Sequence, residues 1–230
     1  MPATLPERPL GRDRPIAVCR DQRSLEALCT CLAGKVDRWA DGLHAPARCE
    51  PLDRYRATGV QLLEVRSRPA DAESTAGGVT FVLAAAQGSK WSPIDAIETA
   101  PELDLTVKPH ASNDAAIDRF EIRPWADETL IWIESRHETD ETAMGERTRT
   151  GEASTTVCRV SRTAPSGARS SASCYVSVPR AEWDYTEAIV SDAGCRIRKA
   201  VGFAHHLEAG VLTVRLSHGT DLAPVGRFRL

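Results

Sequence analysis

No apolar stretch in this chain is long enough to cross a bilayer. The most apolar one, residues 79–86, falls far short of the roughly 20 residues a spanning helix needs. Neither charge sign is in excess: 29 Lys and Arg stand against 32 Asp and Glu, a formal net charge of −3. That removes electrostatic attraction to nucleic acid or to an anionic membrane surface as a driving force. Neither is expected as a partner. Aromatic residues are scarce at 5%, and there are only two methionines. The five indoles, Trp39, Trp91, Trp125, Trp132 and Trp183, are widely spaced. They read as separate core or edge anchors rather than one binding platform.

Catalytic and ligand signatures are also missing. The chain has no G-x-S-x-G elbow, no G-x-x-x-x-G-K-[ST] loop and no G-x-G-x-x-G, so nothing in it builds a strained nucleophile turn or an amide cradle for phosphate. Gly77-Gly78 precedes a strand pattern, not a helix, and lacks the amide nest at a helix start. His137-Glu138-Thr139-Asp140-Glu141 looks like a metal or general-base cluster, but it has no second histidine at H-E-x-x-H spacing. In a strand His137, Thr139 and Glu141 share a face, which reads as a solvated charged surface. No EF-hand spacing is present. No catalytic residue, metal site or cofactor is assigned.

Cysteine, by contrast, is abundant, with seven in 230 residues. Secreted chains use cysteine in this way. Residues 1–14 nevertheless contain no apolar segment of a secretory signal. An extracytoplasmic location, periplasmic or secreted, therefore implies an export signal missing from this sequence. Cys19, Cys29, Cys31 and Cys49 are spaced C-x9-C-x-C-x17-C. Zinc knuckles need two thiolates two to four residues apart, and a C-x-C pair lacks that geometry. On a helix Cys29 and Cys31 point to nearly opposite sides, so they require different partners. Cys158 and Cys174 bracket a Pro/Gly/Ser loop and are the favoured later pair, with Cys195 next. Seven is odd, so one thiol is left over unless a second chain takes it.

The rest of the sequence is organised by alternation. Leu130-Ile131-Trp132-Ile133 is followed about twenty residues later by Thr155-Thr156-Val157-Cys158. If the turn between them centres on Met144-Gly145, the numbers of facing residues sum to 289. Trp132 then faces Val157, Ile131 faces Cys158 and Asp140 faces Arg149. A slip of one residue would send every side chain of one strand to the wrong face. The base of this hairpin is apolar on both faces and is expected to be covered on both. Its tip, residues 138–151, is charged and is expected to stand in water.

Further strands are predicted near residues 60–66, 79–83, 103–107, 119–123, 174–178, 195–203 and 212–217, with a turn at Glu208-Ala209-Gly210. Residues 88–93 read as a connection anchored by Trp91. Residues 179–192 fit strand, loop or helix. His205-His206 is read at a backbone turn after Phe203. Before all this comes a helical pattern from residue 23, with Leu25, Leu28 and Leu32 on one face, Asp21 as its cap and Gly34 as its stop. A second short helix is possible over 36–41.

The expected architecture is mainly β. It consists of antiparallel sheet in about eight to ten strands, forming a sandwich or a strongly curved sheet, with a small N-terminal helical Cys-rich cap. Residues 1–15 form a disordered Pro/Arg-rich arm, 16–55 the cap packed on the main domain, and 56–230 the antiparallel β domain. The expected function is that of a non-enzymatic extracytoplasmic structural or binding domain. One alternative is a metal-stabilised intracellular protein using the first four cysteines and His44. Another is a hydrolase pairing a Ser or Cys with His205 or His206.

Overall fold

A computed structural model describes residues 3–8, 15–34, 47–57, 59–67, 75–100, 103–104, 110–125, 128–161, 172–175, 177–188, 195–208, 210–216 and 224–229. The possible helix at 36–41, His44, the far end of the strand near 103–107 and the loop after Cys158 lie outside them. Two short strands, β1 (Ala3–Thr4) and β2 (Glu7–Arg8), are followed by a 3-10 turn (Pro15–Cys19) and one helix, α1 (Leu25–Gly34). The helix is capped by Ser24, not Asp21: Ser24 Oγ accepts the Ala27 N–H at 3.0 Å, which satisfies one of the first-turn donors. Asp21 is instead turned to a positive φ of 59°, and its N–H donates to Ser92 Oγ.

A four-stranded antiparallel sheet follows. It is built from β3 (Ala47–Ala57), β4 (Val60–Ser67), β6 (Val79–Gln87) and β7 (Lys90–Ala100), in the order β3-β4-β6-β7. A separate two-stranded sheet pairs β5 (Thr75–Ala76) with β8 (Leu103–Asp104). The expected connection at 88–93 is only a two-residue turn at Gly88 and Ser89, with Gly88 at φ 63°, closing a tight hairpin before β7 begins at Lys90. Pro93 is tolerated inside β7 because that strand is an edge and Pro93 sits at a register shift. The strand β3 begins inside the region read as helical cap. It is also an edge strand, half exposed and broken by a shift between Pro51 and Arg56.

The second sheet is larger. It comprises β9 (Ala111–Trp125), β10 (Glu128–Ala143), β11 (Glu146–Ser161), β12 (Ala172–Tyr175), β13 (Val178–Ala188), β14 (Cys195–Glu208), β15 (Val211–Leu216) and β16 (Pro224–Arg229). The β10–β11 hairpin holds the expected register along its whole length, from Ala143↔Glu146 through Trp132↔Val157 to Glu128↔Ser161. Met144 and Gly145 both have positive φ, 52° and 80°, as a two-residue turn matched to strand twist requires. The tip does not project alone into water. It is flanked by β9 as far as Glu141↔Ala111 and by β13 as far as Glu146↔Ala188, and most of its residues are half-buried.

Three apolar clusters order the layers. The first lies between the sheets, where Leu62, Phe81, Leu83 and Ile97 meet Ile117, Ile131 and Ile133. The second holds α1 and the 3-10 turn to the outer face of the small sheet, through Leu28 and Leu32 on Leu63, Val65 and Val82. The third lies on the other face of the large sheet, which rolls so that Leu212 and Val214 of β15 pack with Leu130, Trp132 and Val157. The base of the hairpin is therefore covered on both faces, as its composition demands.

The N-terminal arm, expected to be disordered, completes that roll. Ala3 and Thr4 pair in parallel with Phe228 and Arg229 of β16. Glu7 and Arg8 pair antiparallel with Tyr175 and Cys174 of β12, which itself pairs with β11. The circuit β11–β13–β14–β15–β16–arm–β12 is thus closed, and Leu5, 4% exposed, points into its core.

Candidate functional site

The best-formed polar constellation lies where the inter-sheet core ends. Along β10, Ile131, Ile133, Ser135 and His137 share the face that meets the small sheet, because side chains alternate in an extended strand. Core gives way to polar groups at Ser135. Glu98 reaches the same place from β7. Its Oε2 accepts the Ser135 hydroxyl at 2.8 Å, and its Oε1 lies 3.1 Å from His137 Nδ1. The Thr99 N–H also donates to Oε1, at 3.2 Å. Ser135 is fully buried and also lies 3.2 Å from Ser154 Oγ on β11. Beside the cluster opens a groove of about 490 Å³, lined by Glu98, His137, Glu152, Ser154, Ser177 and Pro179 among others.

The electrostatics follow from this wiring. The hydrogen bond to Glu98 raises the His137 pKa above the ordinary imidazole value. Burial opposes that rise, and the Glu98 and Glu152 charges add to it. Glu152 Oε1 is 3.9 Å from the same ring nitrogen. The carboxylate stands between hydroxyl and imidazole. A serine nucleophile needs the base on its own oxygen, whereas here the base is held by the acid and the serine donates to that acid. The arrangement is a charge-assisted clamp joining β7 to β10 at the mouth of a polar groove.

The opposite face of β10 carries an ion ladder. Trp132 Nε1 donates to Glu134 at 3.0 Å, and the Arg123 guanidinium lies 5.1 Å from the Trp132 ring. Asp118 receives Arg136 at 2.9 Å and Arg180 at 2.6 Å. Nearer the tip Asp140 accepts from Arg149, its register partner, at 3.0 Å, and also from Arg147. Those hydrogen bonds, Arg147 first, hold the Asp140 carboxyl below its usual range.

The histidines at 205 and 206 are not at a turn. The strand β14 runs unbroken from Cys195 to Glu208, so the two rings point to opposite faces. His205 Nε2 donates to the Pro179 carbonyl at 2.9 Å, which leaves Nδ1 to accept the Thr155 hydroxyl at 2.7 Å. Burial lowers its pKa. His206 is exposed, 3.7 Å from Glu208. Among the described residues no serine or cysteine is hydrogen-bonded to either ring, and no group of three metal-ligating side chains forms.

Six of the seven cysteines form disulfides: Cys19–Cys31, Cys29–Cys49 and Cys158–Cys174. Cys29 and Cys31 leave α1 in different directions, the first to β3 and the second to the 3-10 turn. Cys158 and Cys174 face each other across β11 and β12 and are fully buried. Cys195 is the seventh. The indoles serve separately: Trp132 is core, Trp91 packs against the cluster under α1, Trp125 abuts Gly210 and Trp183 covers Gly151. Trp39 lies outside the described residues. Glu98 was missed in the sequence because a lone acid in a mixed stretch carries no periodic signal. Its partners are nearly forty residues away.

No protein-family model, no curated protein and no solved structure matches this chain.

Proposed function

We propose that the protein is a non-enzymatic extracytoplasmic binding domain, with a disulfide-stapled β framework that presents fixed polar grooves and edges. The observation carrying this reading is the pairing of six cysteines into three bridges, one of them buried between the sheets. Disulfides of this kind persist in oxidising compartments and are rare in reducing ones. The four cysteines available to a metal site are all engaged in bridges, which weighs against the metal-stabilised alternative. The Ser135–Glu98–His137 order and the saturated ring of His205 weigh against the hydrolase.

Thiol titration of the purified, denatured protein tests the reading. One reactive thiol per chain is expected before reduction and seven after it. Seven thiols before reduction, or thiols released by a chelator rather than a reductant, would overturn it in favour of an intracellular metal protein. Fractionation of the producing cells provides an independent check, with the protein expected outside the cytoplasm.

A further inference from the structure

The arm that closes the roll differs from the other strands of the large sheet in how little holds it. Two residue pairs join it to β16 on one side and two join it to β12 on the other. Pro6 marks the change of partner, since it fixes an extended backbone and removes a donor. Leu5 supplies the apolar anchor among Tyr175, Val178, Leu212 and Val214. Glu7 ion-pairs with Arg159 of β11. Arg159 is placed for that role independently of Glu7. Its Nε donates to Ser173 Oγ at 3.3 Å, and its guanidinium lies 5.9 Å from the Tyr175 ring. Without the arm, β16 and β12 would each show an unpaired strand edge flanking an apolar slot, with an arginine at its rim. Such edges template pairing with another chain.

We propose that the seam between β16 and β12 is a strand-binding site, filled in cis by residues 3–8. From a partner protein it takes an extended segment bearing an aliphatic side chain followed two residues later by a carboxylate. This deepens the binding reading above and rests on it. Backbone pairing on both sides holds the strand, the Leu5 slot selects an aliphatic residue and Arg159 selects the acid. The cis arm acts as a tethered competitor, with an effective concentration in the millimolar range expected for a short linkage.

The test uses the full chain carrying Leu5→Asp, which removes the anchor of the cis arm, and a fluorescent peptide with the sequence of residues 2–9. By anisotropy, the peptide is expected to bind this variant at least about tenfold more tightly than it binds the unaltered chain, because of that competition. Peptides carrying Leu5→Asp or Glu7→Arg should lose binding. Adding Arg159→Glu to the chain should transfer preference to the Glu7→Arg peptide. Absence of peptide binding to a folded Leu5→Asp chain, or binding indifferent to Leu5 and Glu7 in the peptide, overturns the proposal. If Leu5→Asp does not fold, Leu5→Ser replaces it. Hydrogen exchange on the unaltered protein gives a second readout. The Glu7 and Tyr175 amides should exchange well before those of β10, and exchange only with global unfolding overturns the proposal. Failure here leaves the thiol titration untouched, whereas seven free thiols would sink the extracytoplasmic reading without altering the peptide result.

Discussion

Gly151 shows what a single side chain decides in this protein. A Cβ built there would stand 2.5 Å from the Trp183 ring and 2.6 Å from the His137 carbonyl oxygen, so the cross-strand indole lies flat over a glycine. Gly151→Ala should cost about 1–3 kcal/mol, the range for overpacking, read as a lower urea midpoint at unchanged slope. Trp183→Ala in the same chain should restore only part, because the carbonyl contact is backbone. An unshifted midpoint for Gly151→Ala would refute this account. The two described histidines with shifted pKa values give opposite pH dependences. His137 is raised, chiefly by its hydrogen bond to Glu98. Its contribution to stability is full below the unfolded value of about 6.5 and is lost as pH rises through the folded value. His205 is lowered, chiefly by burial. Its contribution is full above about 6.5 and is lost as pH falls through its folded value. Urea midpoints from about pH 5 to about pH 9 should therefore flatten on the alkaline side in His137→Gln and on the acid side in His205→Asn.

Among the elements, the β10–β11 hairpin is the most legible. Alternating apolar residues at its base, charge pairs nearer the tip and a Met-Gly turn leave one register that suits both faces. Met144 is the poor fit in it. A left-handed residue other than glycine costs about 1–2 kcal/mol, and the Met144 side chain is fully exposed, so it buries nothing in compensation. Met144→Asn should raise stability by about 1 kcal/mol, since Asn-Gly suits this turn. A lowered melting temperature would contradict that. In α1, Ser24→Ala should cost about 1 kcal/mol through loss of the cap, and Asp21→Ala should cost less. The elements that escaped sequence reading have a common character. The strands β3, β7 and β9 all lie at sheet edges, β3 and β7 contain proline, and β3 and the start of β9 are half exposed. In β3 and the start of β9, strand identity comes from a neighbour's unpaired backbone rather than from their own side chains, whereas β7 also buries Ile94 and Ile97 in the inter-sheet core.

At the scale of the whole molecule, the disulfides staple places that the apolar clusters also hold. Two of them fasten α1, one to β3 and one to the 3-10 turn, while Cys158–Cys174 fastens β12, the branch that receives the arm. The double variant Cys158→Ala, Cys174→Ala should lose about 3 kcal/mol by loop-entropy reasoning, measured by urea unfolding without reductant. Faster hydrogen exchange at Glu7 and Arg8 should accompany it. An unchanged midpoint would show that β12 is held by packing and not by the bridge.

Sequence alone determined the class of this protein, the hairpin register, the helix face and the need for different partners at Cys29 and Cys31. Each of these follows from side-chain direction over a few bonds and needs no knowledge of what lies opposite. Tertiary structure decided that Glu98 meets His137, that the imidazole of His205 is saturated by Thr155 and Pro179, and that residues 3–8 close the roll. Those contacts join segments remote in sequence. They arise from the curl of a sheet summed over many strands, a quantity no local pattern records.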